Sequence, residues 1–108
     1  MRIGIILNSN DAETCWNCFR FANEALAHRH GVKVFLLSKG VELDNVQDEK
    51  FPLLEATIKK FTSNNGTVLA CGTCLKLRDK EGSELCPIST MAELVRLVEE
   101  SERIVTFG

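Results

Sequence analysis

Tyrosine is absent from this 108-residue chain, and its aromatic residues are six Phe and a single Trp. So few rings provide no stacking platform for single-stranded nucleic acid. There is no excess of positive charge either. The chain has 13 Lys plus Arg against 15 Asp plus Glu, a formal charge of -2, whereas phosphate binding needs a basic face. No apolar run approaches the ~20 residues that cross a bilayer. The opening run Ile3-Gly4-Ile5-Ile6-Leu7 is short and ends in Asn8-Ser9-Asn10, without the small-residue cleavage pattern of a secretion signal. There is no internal repeat and no low-complexity stretch. These absences predict a cytoplasmic protein with no nucleic-acid or membrane partner, and the length predicts one domain over residues 1–108.

Five cysteines are present: Cys15, Cys18, Cys71, Cys74 and Cys86. An odd number without a secretion signal argues against a disulfide framework. In a reducing compartment such thiols point to redox chemistry, sulfur chemistry or metal.

Residues 2–7 are apolar and β-branched, as in a strand buried on both faces. Asn10 with Glu13 fits a capping box, so a helix is expected from about Asp11. Its stripe is Cys15, Cys18, Phe19, Ala22, Ala25 and Leu26, with Gly31 as its stop. Residues 32–37 read as a second strand and residues 41–50 as a polar loop. Pro52 suits the first turn of a second helix, with Leu54, Ile58 and Phe61 inward. Residues 67–70 form a third strand, residues 75–78 a turn or short helix, and residues 85–88 a short extended segment. Thr90 with Glu93 opens a last helix carrying Met91, Leu94, Val95 and Val98 inward, before a final strand at residues 104–107. This alternation predicts an α/β fold of flavodoxin-like or Rossmann-like type: three layers with a mainly parallel sheet of four to five strands.

In such folds ligands bind beyond the carboxyl ends of the strands. Cys71-Gly72-Thr73-Cys74 falls there. A helical turn after Cys71 would aim backbone N–H groups at it and favour the thiolate, which is the nucleophile. Lys76 and Arg78 add positive potential, Gly72 leaves the backbone open to close approach, and Cys74 is spaced to attack a sulfur species on Cys71. Asn8, Asn10, Gly72, Thr73 and Arg78 are the expected lining, and Cys86, before Pro87, is a third thiol for the same site. Cys15 and Cys18 fall on an apolar helix stripe and read as packing groups. Of the two, Cys15 lies nearer the mouth of the site. His28 and His30 read as surface residues at the end of that helix.

Taken together, Ile5-Ile6-Leu7-Asn8, Glu13-Thr14, Trp16-Asn17, Phe19-Arg20-Phe21-Ala22-Asn23, Val32 to Leu37, Gly40-Val41-Glu42 and above all Ala70-Cys71-Gly72-Thr73-Cys74-Leu75 with Arg78 give the chain a family likeness over its whole length. It resembles the DsrE/DsrF-like proteins, a superfamily that includes the TusD-type sulfur-relay subunits. Leu85-Cys86-Pro87-Ile88-Ser89 looks like the signature of one uncharacterised branch. The resemblance implies a flavodoxin-like fold and a homo-oligomer: a dimer, trimer or hexamer. It also implies a sulfurtransferase-like carrier in which Cys71 holds sulfane sulfur as a persulfide. Donor and acceptor proteins or small sulfane-sulfur compounds are then the partners, and no cofactor or metal is called for. Cys74 departs from the TusD type, and Cys15 and Cys18 stand where relatives carry aliphatic or small residues. Two other chemistries fit the residues: a dithiol–disulfide couple of Cys71 and Cys74, or a zinc module with Cys15, Cys18, Cys71 and Cys74 as ligands.

Overall fold

The computed structural model describes residues 1–83 and 87–108. β1 (Arg2–Leu7) leads to α1 (Ala12–Ala27) and β2 (Gly31–Leu36), followed by a 3₁₀ segment at Ser38–Asn45. α2 (Leu54–Ser63), β3 (Thr67–Cys71), α3 (Gly72–Lys76), β4 (Ile88–Ser89), α4 (Met91–Glu100) and β5 (Arg103–Phe107) complete the chain. The sheet has five strands in the order β4-β3-β2-β1-β5, and every pairing is parallel.

Side chains alternate across each strand, so register assigns the faces. Ile3, Ile5 and Leu7 align with Val32, Val34 and Leu36 and then with Val68 and Ala70. All are buried. On this face α1 supplies Cys15, Cys18, Phe19, Ala22 and Ala25, and α2 supplies Leu54, Ile58 and Phe61. The rings of Phe19 and Phe61 meet edge to face at 5.7 Å, a geometry favoured by the ring quadrupoles. The opposite face carries Gly4, Phe35 and Cys71. A Cβ at Gly4 would stand 2.5 Å from Leu97 Cδ2 and 2.7 Å from Ser101 Oγ. Glycine therefore lets α4 lie directly on β1.

Several expectations shift. The cap of α1 is Asp11, not Asn10: the Asp11 carboxylate accepts from Thr14 N–H at 3.0 Å. Asn10 is used elsewhere, as described below. α1 ends in a left-handed Arg29 (φ 68) rather than at Gly31, which already belongs to β2. The stretch read as a loop begins with the 3₁₀ turns of Ser38–Asn45, seated where a Cβ on Gly40 would overlap the Leu7 carbonyl. α2 begins two residues after Pro52. Thr90 caps α4 as expected, accepting from Glu93 N–H, but the inward residues are Leu94 and Leu97. Met91, Val95 and Val98 are exposed, at 56%, 53% and 46%. The apolar line at i, i+4 and i+7 satisfies the helical period just as well, and contact with Gly4 decides which line packs. Cys86 lies outside the described residues, as do Glu84 and Leu85 of the expected extended segment. Its remainder is β4, which bonds β3 through Ala70 N–H to the Pro87 carbonyl at 2.9 Å.

Candidate functional site

Cys71 is the last residue of β3 and the cap position of α3, with φ -60 and ψ 116. Its side chain makes no capping hydrogen bond, and it is buried at 2% exposure. Only five helical residues follow, so the N–H field expected at the thiol comes from little more than one turn. Gly72 has a packing reason. A Cβ there would stand 3.0 Å from the Ser89 carbonyl and 3.2 Å from Ile88 Cγ2. The turn after Cys71 is thus pressed against β4 rather than left open to a ligand.

One turn later, Cys74 is the more accessible thiol, and its sulfur accepts the Ser38 N–H at 3.3 Å. Ser38 is left-handed (φ 52), a strained conformation for a residue with a side chain, and this turn aims its N–H at the sulfur. Burial pushes the Cys74 thiol up from its ordinary value, and hydrogen bonding and repulsion from the adjacent Cys71 thiol add to this. The Ser38 N–H and the Arg78 charge oppose the rise.

Arg78 fastens the turn from the other side. Its Nη1 donates to the Cys74 carbonyl at 3.1 Å, and its Nε to Glu42 Oε2 at 2.7 Å. Asn10 Nδ2 donates to Glu42 Oε1 at 3.3 Å. Arg78, and then Asn10, hold the Glu42 carboxyl below its ordinary value. A polar chain therefore runs from Asn10 through Glu42 and Arg78 to the Cys74 backbone. It ties the β1–α1 loop and the 3₁₀ segment to the thiol pair.

Among the expected lining residues, Gly72 and Arg78 meet the pair directly and Asn10 does so through Glu42. Thr73 is exposed. Asn8 extends the β1–β5 ladder, its N–H bonding the Phe107 carbonyl at 2.9 Å. Lys76 is exposed, and the positive charge that reaches Cys74 belongs to Arg78. Glu42, Ser38 and Ser89 were not anticipated. Gly40, with the apolar Val41 and Leu43 beside it, is the sequence signal that residues 38–45 are held against the sheet.

The first cysteine pair is packing. Cys15 and Cys18 are both at 0% exposure, under α1 on the face of the sheet opposite Cys71. Burial pushes Cys15 up to about 11 and Cys18 up to about 12, and Cys15 Sγ donates to the Ser9 carbonyl at 3.4 Å. Such thiols stay protonated and inert. The two pairs do not converge: among the described residues no three His, Cys, Asp or Glu side chains are grouped to hold a metal ion. His28 is exposed, and His30 Nδ1 lies 2.8 Å from the amino-terminal nitrogen. Trp16 is half-buried, with the Arg20 guanidinium 4.5 Å from its ring centre and Phe51 at 5.4 Å. It helps line a groove of about 1000 Å³ between α1 and α2, across the sheet from Cys71. No helix among the described residues is long and apolar enough to cross a membrane.

Fold and site together define a small, all-parallel α/β domain with two cysteines three residues apart at the carboxyl end of β3. The chain belongs to the DsrE/DsrF-like family, whose model matches residues 1–107. It is 30% identical over 100 residues to an uncharacterized protein of Methanocaldococcus jannaschii, covering 88% of each chain. It is also 30% identical over 100 residues to an uncharacterized protein of Methanopyrus kandleri, covering 88% of this chain and 83% of the relative. Its fold is similar to the crystal structure of the ychN protein of E. coli, with a TM-score of 0.79 and 22% identity, over 99% of this chain and 100% of that one. At the level of the family, this membership supports a sulfur-relay-type protein.

Proposed function

We propose that the protein is a carrier of sulfane sulfur, held as a persulfide on Cys71 and passed to a partner. The observation that carries this reading is the thiol pair: a nearly buried Cys71 at a strand end, followed one turn later by the more accessible Cys74, within a DsrE/DsrF-like chain. In the loading step the Cys71 thiolate attacks the outer sulfur of a donor persulfide, R–S–SH. A Cys71–S–SH bond forms, the donor S–S bond breaks, and the donor leaves as R–S⁻. An acceptor thiolate reverses this by taking the outer sulfur and returning Cys71 as thiolate. Donor and acceptor are proteins or small sulfane-sulfur compounds.

Reduced protein incubated with inorganic polysulfide and analysed by intact and peptide mass tests the reading. The expected result is one added sulfur on the peptide containing Cys71, lost in Cys71→Ser. No adduct on the wild type, or an adduct retained in Cys71→Ser, overturns it.

The one-turn spacing of the two thiols favours one further reading, in which Cys74 attacks Cys71 of the loaded form. That step forms a Cys71–Cys74 disulfide and expels HS⁻, and an external dithiol is needed to reset the pair. The same mass experiment reads it as a loss of two hydrogens after the sulfur is gone. A wild type that returns to the dithiol state without added reductant removes it.

Self-association belongs to the same proposal. α4 lies on the Gly4 face of the five-stranded sheet and leaves Met91, Val95 and Val98 exposed, with Ile104 of β5 exposed as well. A second copy covering them would remove apolar surface from water. Sedimentation of the reduced protein at a mass no greater than the 12.0 kDa chain removes this part.

A further inference from the structure

Ser89 is buried at 6% exposure, and its Oγ has no hydrogen-bond partner among the described residues. Other hydroxyls in packed positions are used: Ser101 Oγ donates to the Leu97 carbonyl, and Thr62 Oγ1 to the Lys59 carbonyl at 3.1 Å. A buried hydroxyl left unmade destabilises a fold, and such a group in a native structure needs a reason. Register supplies one. Ser89 is the ladder partner of Cys71, so the two side chains leave the same face of neighbouring strands, roughly 5 Å apart at the backbone. The close approach of Gly72 to the Ser89 carbonyl, where a Cβ would stand only 3.0 Å away, fixes this juxtaposition.

We propose that Ser89 is a positioning residue whose Oγ–H donates a hydrogen bond to the sulfur at position 71. It bonds the thiolate when Cys71 is empty and the outer sulfur when Cys71 is loaded; the loaded form alone rests on the carrier reading above. In the neutral thiol the sulfur is a weak acceptor and the hydroxyl stays unbonded. Ionisation strengthens the acceptor, and an added sulfur extends the side chain by one S–S bond, about 2 Å. Among the described residues, the other charged or titratable groups about the pair are Cys74 on α3, Arg78 beyond it with Glu42 of the 3₁₀ segment, and the exposed Lys76. Past β4, Glu93 in the first turn of α4 is paired with Arg96. None of these pairs with Ser89.

The test is the pH profile of alkylation, mapped separately to Cys71 and Cys74, in wild type, Ser89→Ala, Ser89→Thr and Ser89→Cys. The expected result is a Cys71 midpoint raised by about one pH unit in Ser89→Ala, the scale of a hydrogen bond to a charged group. Ser89→Thr restores it, Ser89→Cys falls between, and the Cys74 midpoint does not move. Polysulfide-loaded Ser89→Ala should also lose its outer sulfur to a small thiol about tenfold faster than loaded wild type. An unchanged Cys71 midpoint in Ser89→Ala overturns the inference, as does an equal shift at Cys74, which marks general loosening. If wild type takes no sulfur on Cys71 but the midpoint still shifts, the carrier reading fails and the Ser89 bond stands. If wild type takes sulfur and the midpoint does not shift, Ser89 fails and the carrier reading stands.

Discussion

Raising the pH from 8 to 10 should weaken the fold, and the two thiols under α1 set the amount. Unfolded, Cys15 and Cys18 ionise near the ordinary cysteine value of about 8.5. Folded, they are held up to about 11 and about 12 by burial. A group whose folded value is raised in this way keeps its proton in the native state while the unfolded chain loses it. Stability then falls with rising pH, beginning near the unfolded value and ending at the folded one. The slope is about 1.4 kcal/mol per pH unit per thiol. Between pH 8 and 10 each thiol contributes a loss of roughly 2 kcal/mol, or about 4 kcal/mol for the pair. That is a large part of the ~5–15 kcal/mol typical of a domain. The chain suits the measurement because it has no tyrosine to titrate in this range. Urea unfolding under reductant at pH 8, 9 and 10, followed by the single Trp16, reads it directly. Cys18→Ala should lower stability at pH 8 by about 1–2 kcal/mol through the cavity it leaves, yet halve the alkaline loss. A wild type whose stability changes by less than about 1 kcal/mol over this range, or a Cys18→Ala protein that loses as much as wild type, refutes the account of these thiols as buried packing groups.

Gly40→Ala should cost about 2–4 kcal/mol, because its Cβ would overlap the Leu7 carbonyl, which already accepts Leu37 N–H at 3.0 Å. Denaturant unfolding checks this, and a loss under about 1 kcal/mol means the 3₁₀ segment is not held there. Arg78→Ala removes both the Glu42 contact and the bond to the Cys74 carbonyl, so Cys74 should react severalfold faster with a pyridyl disulfide; an unchanged rate shows that Arg78 does not hold the turn. The Glu42 carboxyl is held below its ordinary value, so its contribution is present above the ordinary carboxylate range and lost as pH falls below it. Cys74 access in wild type should accordingly rise in that acid window, whereas Glu42→Gln is already loose at neutral pH and shows no acid step.

How much of this was legible depended on how many constraints each residue carried. The α1 stripe could be read because five buried positions recur at helical spacing over sixteen residues. The α4 stripe could not, since Met91, Val95 and Val98 compete with Leu94 and Leu97, and only the missing side chain of Gly4 decides between them. The 3₁₀ turns of Ser38–Asn45 escaped because period three over eight residues, with Val41 and Leu43 the apolar side chains among them, leaves little signal. At the site, Cys71, Cys74 and Arg78 were visible from strand-end position and spacing. Glu42 was not, because its role depends on a partner 36 residues away. Ser89 was invisible as a neighbour of Cys71, because β4 is two residues long and its register is a tertiary fact.

The structure also changes what makes the two site cysteines unequal. Strand-end position singles out Cys71, but Cys71 is the buried thiol and Cys74 the accessible one. For a free nucleophile this order would be a handicap, since attack needs access. For a carrier it is consistent. A persulfide's outer sulfur is exposed to every passing thiol, and burial at the carrying residue slows that leakage. Among the described residues, the Cys74 turn and β4 adjoin Cys71. The Cys74 turn is held by the Ser38 N–H and the Arg78–Glu42 pair, whereas β4, among the described residues, pairs with β3 through two register positions and the Ala70–Pro87 bond. Short, weakly paired segments open at the low end of a protein's range of local stabilities. In the carrier reading proposed above, a partner that displaced β4 would reach Cys71 at its less strongly held side, and Ser89, on that short strand, would part from Cys71 in the same motion.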